Sequence, residues 1–288
     1  MDRNLPIGIF DSGVGGLTVY RALHERLSDE RFVYLGDTAR VPYGTKSLAT
    51  VERYAIENST FLAAHGIKLL VVACNTASAL ALPAIRKAVN VEVVGVIEPG
   101  ARAAQKVAEG KTIGVIATEA TVQSRAYSQA IATIAPSAEV IERACPLFVS
   151  LAEEGWAETD VARSVAEKYL ADFRNSNIGA LVLGCTHYPI LHRVISETLG
   201  GRIPLIDSGE ATAIEVQSVL SSKELSKPQE EKQQIKGNRE RELCDDLDHF
   251  YVTDAAQRFA RVAERILGAS PSVLEAVEVW GQDELRTY

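Results

Sequence analysis

Eight short aliphatic runs, separated by stretches with helical spacing, constrain this 288-residue chain more than any other feature. IGIF (from Ile7), FVYLG (from Phe32), LLVVA (from Leu69) and VEVVGVI (from Val91) read as strands. So do TIGVIA (from Thr112), ALVLG (from Ala180), RIPLID (from Arg202) and FYVTD (from Phe250). Continuous apolar runs of this length suit strands covered on both faces. Between them, segments such as LTVYRALHERL and VARSVAEKYLADF place apolar residues three and four apart. The alternation predicts an α/β architecture with doubly wound, mostly parallel sheets.

The layout repeats. IGIFDSGVGGLTVYRAL and IGVIATEATVQSRAYSQAI share a pattern at an offset of roughly one hundred residues, as do LLVVACNTASAL and ALVLGCTHYPIL. A period this long signals a duplicated domain rather than a solenoid. Two similar halves facing each other would bring corresponding strand ends to opposite walls of one cleft, though βα units also resemble one another by chance.

Cys74 and Cys185 occupy equivalent places in the second pair of segments, each directly after a strand-like run. Open α/β sheets bind ligands at such carboxyl ends. Asn75-Thr76 and Thr186-His187 supply donors beside the thiols, and backbone N–H groups at following helix starts would favour a carboxylate and lower a thiol pKa. A lone free cysteine is often only a small core residue; two in matching contexts suggest paired proton carriers. A Cys-His hydrolase is the rival, with Cys185 as nucleophile and His187 as base. The i, i+2 spacing needs a specific turn that the sequence does not reveal, and the scheme leaves Cys74 idle. A catalytically silent small-ligand binding protein is a third possibility.

Asp11-Ser12-Gly13-Val14-Gly15-Gly16 follows the first run. Thr18 stands where a dinucleotide fingerprint needs glycine, and no Lys-Ser/Thr pair marks a phosphate loop. A tight turn that lets a small ligand approach fits better, with Asp11 and Ser12 as contacts; a plain turn capped by Asp11 is the alternative. DTARVPYGTKS reads as a loop in which Pro42 fixes a turn and Tyr43-Gly44 can close over a ligand, or simply connects. Lys46 is the only lysine near a motif, and without a phosphate cradle no pyridoxal phosphate is expected.

A net charge of -8 argues against general nucleic-acid or polybasic membrane binding. The four cysteines show neither disulfide nor zinc spacing, so no metal is expected. With no signal-peptide pattern and no membrane-length apolar run, a reduced cytoplasmic protein is expected. Residues 221–248 turn polar and read as a helix end followed by a mobile or extended connection, in which Cys244 is incidental.

DSGVGG, GDTARVPYG, ACNTAS, PLFVSLAEEG, GCTHYP and IDSG, in that order, closely resemble the glutamate racemases of the cofactor-independent aspartate/glutamate racemase superfamily. GCTHYP is the main separator, since aspartate racemases usually carry Glu where this chain has His187. The resemblance implies two similar α/β domains with the active site in the cleft between them: 1–97 plus 207–288, and the inserted 98–206. It implies that Cys74 and Cys185 are the acid/bases, tuned by Asp11, Glu153 and His187. It further implies substrate contacts at Asp11, Ser12, Tyr43, Gly44, Asn75, Thr76, Thr118, Thr121, Thr186 and His187. It also implies no cofactor, a homodimer, and a role supplying D-glutamate for peptidoglycan.

Overall fold

In the computed structural model, which describes residues 2–174, 176–227 and 241–280, the aliphatic runs become parallel strands. In chain order these are β1 (Ile7–Asp11), β2 (Phe32–Gly36), β3 (Leu69–Val72), β4 (Glu92–Gly95), β5 (Thr112–Ala117), β6 (Val140–Ala144), β7 (Ile178–Gly184), β8 (Leu205–Asp207), β9 (His249–Val252) and β10 (Leu274–Ala276). The helices that cover them begin with α1 (Leu17–Arg26), α2 (Leu48–Ala64), α3 (Asn75–Leu80), α4 (Leu82–Ala88), α5 (Ile97–Ala108), α6 (Glu119–Ser124) and α7 (Ala126–Ile134). After them come α8 (Leu147–Glu153), α9 (Asp160–Tyr169), α10 (Ala171–Arg174), α11 (His192–Thr198), α12 (Ser208–Ser222) and α13 (Ala256–Leu267).

Two parallel sheets result. The larger has the order β10-β9-β2-β1-β3-β4 and the smaller β6-β5-β7-β8. The repeat seen in the sequence reappears as topology: β2-β1-β3-β4 and β6-β5-β7-β8 follow one scheme, with β1 matching β5 and β3 matching β7. In each, the chain winds to one side of the central strand and then to the other. The crevice beyond the central strand ends is therefore a switch point.

The central strands need cover on both faces. All of β1 is buried, with Ile7 and Ile9 in one apolar layer beside Tyr20 and Leu23, and Phe10 in the opposite layer beside Val51 and Leu62. Leu69 and Val71 of β3 join the first layer and Leu70 and Val72 the second, as the two-residue pleat requires. The chain leaves the larger sheet after β4 and returns through α12, which packs on α1 and α5.

Two strands escaped the sequence reading. β6 (VIERA) is half-buried throughout and β10 lies at the far margin of the larger sheet. Sheet edges tolerate charge and short length, so neither carries an apolar run.

Residues 228–240 lie outside the described residues, so the expected mobile connection is not tested there. The flank at 241–248 corrects it: Arg241 is an anchor with its side chain 2% exposed, 2.8 Å from the fully buried Asp248 and 2.7 Å from Asp245. Asp248 also accepts from Tyr20 Oη and from the Phe32 N–H, both at 2.8 Å. The polar sequence is buried here because each charge finds a partner. Among the described residues no helix is long and apolar enough to cross a membrane.

Candidate active site

β3 runs straight into α3, and the thiol at the junction is itself the helix cap: Cys74 Sγ accepts from the Ala77 N–H at 3.5 Å. Cys74 also lies 3.5 Å from Ser12 Oγ, at the turn after β1. On the other lobe β7 ends at Gly184, and the Tyr188 N–H donates to the Cys185 carbonyl at 3.0 Å. That bond closes the turn the sequence left undetermined. It sets Cys185 Sγ 3.8 Å from His187 Nδ1. Tyr188 fixes the turn from below, its hydroxyl reaching the carbonyls of Ala117 and Cys145, each at 2.9 Å.

Both thiols line one cavity of about 40 Å³. A single water needs about 10–15 Å³, so this space has room for only a few waters. Ser12, Tyr43, Gly44, Asn75, Thr76, Thr118, Glu153, Thr186 and His187 complete its polar wall, and Val41, Pro42 and Val149 its apolar one. Two of the expected residues, Asp11 and Thr121, stand just behind the wall. Asp11 is fully buried, accepts from the Gly13 N–H at 2.9 Å, and lies 3.5 Å from Thr186 Oγ1. Thr121 closes a cluster of hydroxyls: Thr118 Oγ1 lies 2.9 Å from Thr121 Oγ1 and 3.0 Å from Thr76 Oγ1.

The electrostatics differ between the two walls. Burial pushes the Cys74 thiol up to about 12; the Asp11 charge adds to this, while the Ser12 and Ala77 hydrogen bonds pull it down. The helix start therefore does not lower this thiol as the sequence suggested, because desolvation outweighs a single N–H donor. Burial also raises the Asp11 carboxyl, against His187 and the N–H groups of Gly16, Gly13 and Ser12. Burial alone would lower His187, but hydrogen bonds to Cys185 and Glu153 outweigh it and push the imidazole up to about 10. Glu153 Oε1 stands 3.0 Å from His187 Nε2. Burial would raise that carboxyl, yet His187, Arg258 and Arg265 together hold it below its ordinary value.

Several supporting residues escaped the sequence reading. Tyr43 is held by its hydroxyl, which donates to Asp37 Oδ2 and accepts from Asn58 Nδ2 at 3.0 Å. Arg40 Nε contacts the same Asp37 carboxylate at 2.7 Å. Asp37 and Arg40 lie in the quoted GDTARVPYG stretch, so a buried charge pair beside Tyr43 was the available signal. Thr18 Oγ1 ties α1 to the Thr186 carbonyl at 2.9 Å, and Arg258 Nη2 reaches Glu153 from α13 at 3.4 Å. No local pattern marks either.

The Asp/Glu/Hydantoin racemase pattern matches residues 7–216, a span that includes Cys74, Cys185 and every wall residue just described. The chain belongs to this racemase family. Within it, the glutamate racemase of Geobacter metallireducens is 52% identical over 262 residues, 91% of this chain and 92% of that protein. The crystal structure of glutamate racemase from Francisella tularensis in complex with D-glutamate matches with a TM-score of 0.85 and 38% identity, covering 96% of this chain and 99% of that one. The Escherichia coli glutamate racemase, solved with L-glutamate and the activator UDP-MurNAc-ala, matches at 0.75 and 29% identity, over 96% and 100% of the chains. This racemase chain thus resembles enzymes of that name in both sequence and overall fold.

Proposed function

We propose that this protein interconverts L- and D-glutamate by two-base proton transfer at Cα, without a cofactor, and supplies D-glutamate for peptidoglycan synthesis in the cytoplasm. One observation carries the reading: Cys74 and Cys185, mounted on corresponding strands of the two sheets, line the same cavity. Racemisation removes a proton from one face of a carbon and delivers one to the other, which a single base does poorly.

For L-glutamate, the Cys185 thiolate takes the α-proton and the Cys74 thiol gives its own to the opposite face of the planar carbanion. Cys185 ends as thiol and Cys74 as thiolate; D-glutamate runs the sequence backwards. Two features support this assignment. A thiol pushed up to about 12 keeps its proton at neutral pH, so Cys74 is poised to donate. An imidazolium at His187, held by Glu153, stabilises negative charge on the Cys185 side.

Asp11 is the counter-charge for the substrate ammonium, whose arrival offsets the repulsion between Asp11 and a thiolate at Cys74. Ser12, Asn75, Thr76, Thr118, Thr121 and Thr186 are the hydroxyl and amide groups for its carboxylates, and Tyr43-Gly44 forms the lip. In this reading the lobes, 1–97 with 207–288 and 98–206, part for substrate entry, since the cavity holds only about 40 Å³. We take the active form to be a homodimer. The relatives solved with D-glutamate and with L-glutamate support the choice of substrate.

The test is incubation of the purified protein with each enantiomer in heavy water, with no added cofactor. Circular dichroism should decay to zero from either side, and the product enantiomer should carry deuterium at Cα; aspartate should be unchanged. Retained optical activity for both glutamates would sink the reading. The 3.8 Å approach of Cys185 to His187 favours one rival, a Cys-His hydrolase. It predicts a covalent acyl-enzyme visible by mass spectrometry and indifference to loss of Cys74.

A further inference from the structure

Tyr127 lies in the repeated segment IGVIATEATVQSRAYSQAI but in none of the motifs that carry the resemblance, yet it touches the residue next to each thiol. It projects from α7 and is fully buried. Its ring lies against the turn that carries Cys185: a Cβ on Gly184 would come 2.9 Å from Tyr127 Cε2. On the other side its hydroxyl donates to Asn75 Oδ1 at 2.7 Å, and Asn75 follows Cys74 directly. Gly100 of α5 leaves room for the ring, since a Cβ there would stand 3.3 Å from Cε1 and 3.4 Å from the hydroxyl.

The contact decides which way the Asn75 amide faces. Burial raises the phenol pKa, Ser208 opposes this through a hydrogen bond, and Cys185, Asp207 and Glu142 add to the rise. The group therefore stays an O–H donor. A donor facing an amide selects its oxygen and turns the NH2 away. Asn75 is 2% exposed, lines the cavity, and its Nδ2 has no hydrogen-bond partner among the described residues. A buried donor without a partner is rare, and one carried by a residue that lines a cavity points to a ligand acceptor.

We propose that Tyr127 is a positioning residue: its ring sets the separation of the two thiol-bearing turns, and its O–H holds the Asn75 amide with the NH2 turned into the cleft as donor to a substrate oxygen. This rests on the racemase reading. The two roles separate experimentally, because Tyr127→Phe keeps the spacer and removes only the O–H.

In Tyr127→Phe, KM for both enantiomers should rise roughly ten-fold, the factor that accompanies loss of one well-placed hydrogen bond, with kcat changed far less. The effect should vanish in an Asn75→Ala background, since the two residues act as one unit. Tyr127→Leu shortens the spacer and should lower kcat by about a hundred-fold, the scale of a misplacement near 1 Å. Should Tyr127→Phe fail to fold, Asn75→Asp serves: it keeps an acceptor for the phenol, deletes the NH2, and should raise KM at least as much. An unmoved KM in the folded variant, full additivity with Asn75→Ala, or wild-type kcat in Tyr127→Leu overturns the proposal. Wild-type protein that leaves glutamate unchanged defeats the racemase reading itself; wild-type racemisation with an unmoved Tyr127→Phe KM defeats this inference alone.

Discussion

His187 is gripped at both ring nitrogens, with Glu153 Oε1 3.0 Å from Nε2 and Cys185 Sγ 3.8 Å from Nδ1. Cys185 and Glu153 together hold the ring cationic, and the cation faces the sulfur. Glu153→Gln preserves the shape and removes the charge. It should lower kcat/KM by about ten- to a hundred-fold. Because enantiomers are equal in free energy, the loss must be the same from L- and from D-glutamate. The alkaline limb set by His187, near 10 in the parent protein, should move to lower pH. Rates measured against pH in both directions check this, and an alkaline limb unmoved by Glu153→Gln counts against it.

The same ring makes stability depend on pH. Unfolded, His187 titrates near 6.5; folded, it is pushed up to about 10. Between those values the native imidazole holds a proton that the unfolded one lacks. Its stabilising contribution is therefore complete below 6.5 and is lost as pH rises through about 10. Each pH unit in that window should remove at most about 1.4 kcal/mol for the one proton. Urea midpoints at several pH values, compared with those of His187→Asn, test it: the slope belonging to this group should disappear in the variant.

What the sequence made legible was set by how local each feature is. Central strands such as β1 and β3 carry unbroken apolar runs because both faces are covered, so they stand out. The thiols and most of the polar wall were readable for the same reason, since strand ends and the turns after them are contiguous in the chain. The edge strands β6 and β10 bury little and left no run to detect. Contacts between distant segments, such as Thr18 to Thr186 or Tyr127 to Asn75, have no local signature at all. The buried charges at 241–248 misled, because polarity looks the same whether its partner is water or another side chain.

Replacing either thiol separates the two faces of the reaction. Serine is far too weak an acid to serve, so Cys74→Ser and Cys185→Ser should each lose about a hundred- to ten-thousand-fold in racemisation. Each retains one base. With Cys185 intact, Cys74→Ser should still exchange the α-hydrogen of L-glutamate with heavy water; Cys185→Ser should do so only for D-glutamate. NMR of the α-proton with each pure enantiomer reads this out, and the reverse pattern would exchange the roles assigned to the two cysteines.

Arg241 offers a test remote from the cleft. Its guanidinium, 2% exposed, neutralises the fully buried Asp248 at 2.8 Å. Arg241→Ala leaves that carboxylate without its cation, which typically costs about 3–5 kcal/mol. The thermal midpoint should fall by roughly 6–12 °C, while KM for glutamate stays within about two-fold because the site is separate. Calorimetry alongside kinetics distinguishes this from an effect on the cleft.

Gly15 tests whether the lobes must touch for catalysis. It lies in the turn after β1, and a Cβ there would stand 2.3 Å from Thr186 Oγ1 and 2.5 Å from both Cε1 and Nδ1 of His187. No such contact survives, so in Gly15→Ala the Thr186 and His187 side chains must move and disturb the Cys185 turn, or the lobes stay apart. Both disturb the spacing of the thiols. The expected result is a fall in kcat of about a hundred-fold, the scale of a misplacement near 1 Å, with each lobe otherwise folded. The strain falls on the closed arrangement only, so the circular dichroism of the backbone should match the parent protein. Where the lobes stay apart, solution scattering should show a larger radius of gyration. A compact Gly15→Ala protein with unchanged kcat would mean that the turn after β1 and the Cys185 turn need not meet during turnover.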